Sequence, residues 1–548
     1  MVCEMGLLQA TPSIVSNHKL NFYNFLHLSI QELLSALYIS HMPVSKQIST
    51  FDSLFGDSRF SAVFQFYAAI TKLRTSRPFL HKLPHWMRPI PAGVLDLVRK
   101  IIKKEGASYG QSRTLLVSLL RCLYEAQDPL LVQFVAEQLG QHLNLNNTAL
   151  IPMDCLAIGY FLYSVFHFNA ESGNYRVTFR SCSLTDAGTK NLMVSICRSV
   201  GPSSAVKVHL SMSLNDNEIH EEGVLFIAEM LSNVNIIIDN LNISNNALGV
   251  QGITHLSESL KQNRSLKHLE VSGCQLDSAG AASLASALRT NSTLERLDID
   301  ENAIGDGGIA HLAEALKCNK VLKHLDVSEC DMTDAALLAE VLHTNNTLEN
   351  ICMNGNMLGD QSTAKLAESL KVNKTLEDLD VSNCKITHTG VASLADALCA
   401  NNTLESLSIN ENALEDQGIA HLSEALKLNK TLKRLYVSSC EMTDAGVASL
   451  ADALCKNNAL ESLDIQGNDK LTNDGLICLI EALSKNVQLD SLSLPYEMRS
   501  IYTKVEKMIN KARKRNTLDF LKVKGEYMIL INRRTEFSIL TSTDILLL

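Results

Sequence analysis

The chain has 548 residues, 46% hydrophobic and 20% charged, a composition that excludes wholesale disorder and a collagen-like repeat. Its formal charge of −10 is unevenly spread: residues 1–240 carry +1, residues 241–494 carry −16 (19 Lys and Arg against 35 Asp and Glu), and residues 495–548 carry +5 (11 against 6). So acidic a central block argues against nucleic acid as a ligand.

Taken in chain order, residues 1–19 contain an acid and no basic stretch ahead of an apolar run, so no secretory signal is expected and the segment reads as poorly ordered. No stretch reaches the ~20 apolar residues that span a bilayer. The 14 cysteines are scattered singly with no CxxC pair, which suits a cytoplasmic location. Residues 20–168 have a helical texture. The candidates are VLDLVRKIIKK (94–104), RTLLVSLLRCLYEA (113–126) and LLVQFVAEQLGQHL (130–143), separated by Pro- and Gly-bearing breaks. CLAIGYFLYSVFHF (155–168) follows and is expected to cap the first repeat strand. GASYG (106–110) has the spacing of a nucleophile elbow around Ser108. A basic helical sequence, RKIIKKE, stands where the elbow needs a hydrophobic strand, so an interhelical loop is expected instead.

Nine of the ten prolines lie at or before Pro202 and the tenth is Pro495, leaving 292 proline-free residues between them. That block repeats itself. The string L-x-[IV]-x-x-[NC]-x-hydrophobic places Asn or Cys at 246, 274, 302, 330, 356, 384, 412, 440 and 468; seven steps are 28 residues and one, from Cys330 to Asn356, is 26. Degenerate copies surround Cys182 and Asn217, and LDSLSL (489–494) closes the array, giving about 11 units and a terminal strand across 169–495. Such a period marks leucine-rich repeats: a short strand, then a helix whose Val447, Leu450, Ala451 and Leu454 share one face. The repeated Asn is expected to bond backbone groups left unpaired at the strand end. Cys182, Cys274, Cys330, Cys384 and Cys440 read as small structural residues in the same slot. The two-residue deletion falls in the helical half, where a local irregularity of the convex side is expected. Sequons recur at Asn291, Asn345, Asn373, Asn401 and Asn429, always at one point of the repeat, which a turn residue explains.

Asn and Cys alternate strictly from Cys274 to Asn468, and in this the array resembles the ribonuclease-inhibitor class of leucine-rich repeats. That resemblance implies an α/β fold, a curved horseshoe with parallel strands inside and helices outside, preceded here by an all-α domain. Residues 25–38, FLHLSIQELLSALY, are similar to F-x-H-x-[ST]-[FI]-Q-E-[FL] at the end of the winged-helix region of nucleotide-binding, leucine-rich-repeat (NOD-like) receptors; Phe25, His27, Ser29, Gln31 and Glu32 match. The resemblance extends from about residue 20 to 495. It implies the winged-helix end and second helical domain over 20–168, then the sensor repeats of an intracellular innate-immune-type receptor. In that family the motif histidine contacts the phosphate of bound ADP, which would be His27. The chain contains no GxxxxGK[ST], so no cofactor is expected, His27 has helix packing as its competing role, and the chain reads as the part that follows the ATPase module.

No catalytic or metal site is expected, and no enzyme. His255, His311 and His421 recur one per repeat helix and cannot converge on a metal, while Asp186, Asp306, Asp416 and Asp444 sit at helix entrances. Binding is expected instead on the concave strands. Their outward positions are His268 and Glu270; Arg296, Asp298, Asp300 and Glu301; His324, Asp326 and Glu329; Asp378 and Asp380; Asn410 and Glu411; Arg434 and Tyr436; and Asp464. The strip is acidic, so a protein ligand with a basic surface, or a basic surface of the receptor's own ATPase module, would complement it. Few aromatic anchors accompany it, which argues against a very tight grip. Two other readings are a free-standing ribonuclease-inhibitor-like protein and a GTPase-activating repeat protein, a class that ends in an acidic tail where this chain ends basic. Residues 496–548 begin as a basic amphipathic helix, expected to cap the last repeat or to meet an acidic face or anionic lipid. The final MILINRRTEFSILTSTDILLL has no repeat character.

Overall fold

A computed structural model describes residues 111–168, 174–199, 207–483, 485–486, 488–494, 520–524 and 527–531. His27 and its motif, the helical candidate at 94–104, Ser108, the basic segment that follows Pro495 and the apolar end at 537–548 lie outside them. The chain divides into two compact units, Met1–Ser211 and Met212–Leu548.

In the first unit α1 (Gln111–Ala126) and α2 (Pro129–Leu139) meet at Asp128. Its carboxylate accepts the N–H groups of Leu130 (3.0 Å) and Leu131 (3.4 Å), with Pro129 at the first helical position. Gly140, at φ 67°, ends the helix, so the expected helical stretch to 143 stops early. The chain enters β1 (His142–Asn144), which pairs in parallel with β2 (Asn174–Thr178), His142 opposite Arg176. The alternation in HLNLNN buries Leu143 and Leu145 on one side, a strand period. Repeat-type pairing therefore begins at residue 142, and α3 (Pro152–Phe168) is the helix between two paired strands. In its first turn Asp154, buried, accepts from Arg121 Nε and from the Ile151 N–H at 3.0 Å, so the buried charge is compensated. The unit's last helix among the described residues is α4 (Asp186–Ser199).

The strand β3 (Val208–Ser213) runs across the division. In the second unit α5 (Glu221–Leu231), β4 (Ile236–Asn242), α6 (Gly249–Gln262), β5 (His268–Glu270), α7 (Ser278–Leu288) and β6 (Arg296–Asp298) open the array. It continues through α8 (Gly305–Leu316), β7 (His324–Asp326), α9 (Ala336–Thr344), β8 (Asn350–Cys352), α10 (Gly359–Val372) and β9 (Asp378–Asp380). Then come α11 (His388–Ala400), β10 (Ser406–Ser408), α12 (Glu415–Leu428), β11 (Arg434–Tyr436), α13 (Asp444–Leu454), β12 (Ser462–Asp464), α14 (Asn473–Leu483) and β13 (Ser491–Leu494). Strands β4 to β13 pair in parallel in chain order. Neighbouring strands lie about 4.8 Å apart while a helix is about 10 Å wide, so stacking closes faster on the strand side and the array is a curved solenoid.

Two asparagine ladders hold it together. In the first, Asn302 Oδ1 accepts the N–H groups of Cys274 (2.9 Å) and Leu276 (3.0 Å) in the preceding unit, and its Nδ2 donates to Val271 O (3.0 Å) and Ile299 O (2.8 Å). Asn356, Asn412 and Asn468 take the same two N–H groups from the Cys330, Cys384 and Cys440 units. Each cysteine, fully buried, makes only weak Sγ bonds to carbonyls: one to the unit before it, at 3.4 Å for Cys330, and for Cys274, Cys384 and Cys440 a second to the serine two residues earlier. The alternation is thus functional within the ladder: an Asn unit accepts what a Cys unit offers, and the next turn instead sends the N–H of Gly305, Gly359 or Glu415 to the following cysteine's carbonyl. The second ladder contains the sequon residues. Asn373, buried, donates to Leu342 O (2.7 Å) and accepts from Thr375 N (2.9 Å) and Leu376 N (2.8 Å), and Asn291, Asn345, Asn401 and Asn429 repeat the pattern.

The aspartates at the helix entrances act across units. Asp416 accepts from Thr443 N (2.8 Å), Thr443 Oγ1 (2.6 Å) and Gly446 N (2.9 Å), capping the next helix rather than its own. Asp306, Asp360 and Asp444 do the same for the entrances near Thr333, Thr387 and Thr472. Where the deletion falls, α9 has nine residues against 11 for α7 and α13, and its entrance is held by Asp334 on Ala336 N at 2.8 Å. At the far end β14 (Phe520–Lys524) and β15 (Tyr527–Ile531) form an antiparallel hairpin, β15 pairing antiparallel with β13. The hairpin covers a strand edge that would otherwise expose unpaired backbone groups.

Candidate functional site

Each short strand buries its middle residue, such as Leu297, Leu325 or Ile351, and turns its two flanking side chains to the other side of the sheet. The parallel register stacks these flanking residues into two rows. The first reads Asn240, His268, Arg296, His324, Asn350, Asp378, Ser406, Arg434, Ser462; the second reads Asn242, Glu270, Asp298, Asp326, Cys352, Asp380, Ser408, Tyr436, Asp464. The second row is the acidic strip, and carboxylates occupy three consecutive strands from Glu270 to Asp326.

Asp298 is buried and the other acidic side chains of the strip are half-buried, not free in solvent. Burial is the leading influence on the carboxyls of Glu270, Asp300, Asp326, Asp380 and Asp464, and it holds all five above the ordinary carboxylate range. Repulsion from adjacent acids adds to it, as from Asp298 on Glu270 and Asp378 on Asp380. Hydrogen bonds oppose it: Asp326 Oδ1 accepts Ser328 N (3.0 Å), Asp380 Oδ1 accepts Ser382 N (2.9 Å) and Asp464 Oδ1 accepts Gln466 N (3.0 Å), closing the turn after the strand. Asp300 accepts from Ser272 Oγ, and Glu270 from Asn242 Nδ2.

Asp298 differs. Burial would raise it, but attraction to His324 and Arg296 outweighs burial and leaves its carboxyl below the usual value. Arg296 Nε donates to Asp298 Oδ2 at 2.8 Å. His324 Nε2 stands 3.4 Å from Asp298 Oδ1, misaligned, so that neither buried atom has a formed hydrogen bond.

The remaining expected residues are dispersed. Glu301, Glu329 and Glu411 lie past the strands at left-handed turn positions (φ 55°, 48° and 55°) and are exposed. Arg434 approaches Asp378 to 4.0 Å, and Tyr436 stands between Ser408 and Asp464 in the row. His255, His311 and His421 join no cluster of three metal-type donors among the described residues. Three residues of the strip, Asn242, Cys352 and Ser408, were not anticipated, and Cys352 is the one with ligand chemistry. Cys352 occupies the slot that holds Asp326 and Asp380 on either side, and laying the strands over one another in register would have found it.

The stacked strand–helix units and their asparagine ladders define a leucine-rich-repeat protein, a class whose concave surfaces bind other proteins. The profile of the MHP1/HER1/GIP3 LRR domain matches residues 224–525, 302 of 548, and the chain belongs to that family. Over 102 residues it is 30% identical to the mouse (Mus musculus) protein "NACHT, LRR and PYD domains-containing protein 14", covering 19% of this chain and 10% of that relative. The chain thus spans a small part of that relative's length. Among solved structures, a chain of the yeast Rad7 and Elc1 complex is similar at 14% identity and TM-score 0.40, covering 74% of this chain and 94% of that one. An internalin (inlF) of Listeria monocytogenes is similar at 14% identity and TM-score 0.36, covering 72% and 93%. Among the described residues no helix is long and apolar enough to cross a membrane.

Proposed function

We propose that the second unit binds a protein ligand through the two concave rows, that the ligand presents a basic surface there, and that the chain acts by binding and not by catalysis. The observation that carries this reading is the row of in-register, half-buried carboxylates, Glu270, Asp326 and Asp380, which no lysine or arginine neutralises within the described ion pairs. A basic partner would supply the missing charge and gain affinity and association rate from it. Catalysis finds no support in the Cys352 thiol, which burial and the surrounding acids push far up, the opposite of an activated nucleophile.

The finer form of the reading is the ligand-sensing or autoinhibitory region of an intracellular innate-immune-type receptor, with the receptor's ATPase module as one candidate basic surface. Its support is the FLHLSIQELLSALY motif ahead of the repeats and the likeness to a NACHT- and LRR-containing relative. The test measures binding of the chain to two cationic proteins, cytochrome c and lysozyme, and to acidic ovalbumin, at low and at physiological ionic strength. Charge reversal at Glu301, Glu329 and Asp378, which keeps the turn-closing aspartates, should weaken cationic binding about tenfold and flatten its salt dependence. Cationic proteins binding no better than ovalbumin, or binding unchanged by the reversals, would refute the reading.

A further inference from the structure

At the centre of the strip the register brings together four donors of different chemistry. Asp298, Asp326 and Cys352 are consecutive partners across β6, β7 and β8, and His324 lies two residues before Asp326, on the same side of β7. One ligand atom each from His324, Asp326 and Cys352 lie within 4.8 Å of one another. Independently, the Asp298 carboxylate is 9% exposed, and its Oδ1, 3.4 Å from His324 Nε2, has no hydrogen-bond partner; nor has that nitrogen. The two atoms attract each other across that gap but form no aligned hydrogen bond, which leaves a buried oxygen and a buried nitrogen both able to ligate a cation seated between them.

We propose that His324, Asp326 and Cys352, with Asp298, form a divalent metal site on the concave face, and that its preferred ion is zinc. The spacing suits a tetrahedral ion: with metal–nitrogen and metal–oxygen bonds of about 2.0–2.1 Å, the edge between two donors is about 3.4 Å. The Asp298–His324 separation already has that value. His324, Asp326 and Cys352 already offer ligand atoms within 4.8 Å of one another, on strands whose backbone is fixed by the ladders. One sulfur, one imidazole and two carboxylates form a mixed set that favours zinc over magnesium or calcium, which prefer all-oxygen shells. On binding, the Cys352 S–H bond breaks, the proton goes to solvent and the sulfur lone pair bonds the cation. The cation then offsets the mutual repulsion of Asp298, Asp326 and the flanking Asp380. The other cysteines of the repeat turns are buried inside the array and bonded to backbone, whereas Cys352 is the described cysteine that falls within a strand. This site does not depend on the protein-ligand reading, since it is defined by the chain's own donors.

The test uses cobalt(II) as a spectroscopic probe with the whole chain. Titration should reach one cobalt per chain, with a thiolate-to-cobalt charge-transfer band and intense tetrahedral ligand-field bands, both abolished by zinc. Cys352→Ser should remove the charge-transfer band, and His324→Gln should weaken binding at least ~10-fold, whereas Cys318→Ser, at an exposed position in the turn after α8, should leave both unchanged. If Cys352→Ser fails to fold, the isosteric Asp298→Asn variant serves: it should keep the charge-transfer band and bind more weakly. Absence of the bands at stoichiometric cobalt, or bands that survive Cys352→Ser or are unaffected by both His324→Gln and Asp298→Asn, would overturn the proposal.

Discussion

Replacing Asn302 with alanine should destabilise the array several times more than replacing Cys330 with alanine, although the two residues occupy the same slot of adjacent units. Asn302 is 3% exposed, and its Oδ1 is the acceptor for Cys274 N at 2.9 Å and Leu276 N at 3.0 Å. Alanine leaves both buried N–H groups unpaired at about 1–3 kcal/mol each, so the loss is about 2–6 kcal/mol. The carbonyls of Val271, Ile299 and Asp300, which also receive its Nδ2, lose a donor and add to the upper part of that range. Cys330 contributes a single weak bond at 3.4 Å and the burial of one small group, so its alanine variant should cost about 1 kcal/mol. A repeat array need not unfold as one cooperative step, and a global midpoint alone would blur the difference. Urea unfolding should therefore be paired with hydrogen exchange on the segment 271–278, where the Cys274 and Leu276 amides should lose protection in Asn302→Ala and keep it in Cys330→Ala. Equal losses of stability, or amide protection unchanged in Asn302→Ala, would refute the account of the alternation.

Gly446→Ala should cost about 1–3 kcal/mol, because an added Cβ would lie 2.7 Å from Asp416 Oδ1 and displace the carboxylate from the helix entrance. Asp416→Ala should then cost less in that background than alone, which a double-mutant cycle in thermal unfolding reads directly. The raised carboxyls give a pH dependence of definite sign. Each is harder to ionise in the folded chain than in the unfolded one, so their contribution favours folding at low pH and is lost as pH rises through the raised folded value. Denaturation midpoints should accordingly rise as pH falls from neutral toward the ordinary aspartate value of 3.8, and Asp380→Asn should be more stable than the parent at neutral pH with a flatter profile. A variant less stable than the parent at neutral pH would contradict this.

The repeat and its register could be read from the sequence because each unit needs one Leu-x-Ile/Val strand and one buried turn residue, and a 28-residue period keeps both in phase. What the period hides is direction across units. Asp416 looks like a cap for the helix it begins, yet its bonds go 27 and 30 residues onward, to Thr443 and Gly446. The first strand was masked by a different ambiguity: the leucines of LLVQFVAEQLGQHL fit a helix through Leu143, and only Gly140, in a left-handed turn, breaks the pattern. In the candidate site, carboxylates were visible one strand at a time. The convergence of His324, Asp326 and Cys352, with Asp298 against His324, was not, because it joins two rows and neighbouring strands.

The charge of the strip cannot be explained by the fold. The turn after each strand needs an acceptor for the N–H two residues on, and Asp326, Asp380 and Asp464 supply it with one carboxylate oxygen. Asn242, in the same slot, supplies it equally well with a neutral amide, accepting Ser244 N at 3.0 Å. An asparagine ladder would therefore close every turn without the burial and repulsion that hold these carboxyls up. The acids cost stability that the architecture does not require, and residues that break a local optimum in this way concentrate where a protein binds something. The excess sits on β5, β6, β7 and β9, flanking Cys352 on β8, so a cation or a basic side chain seated there would discharge several of them at once.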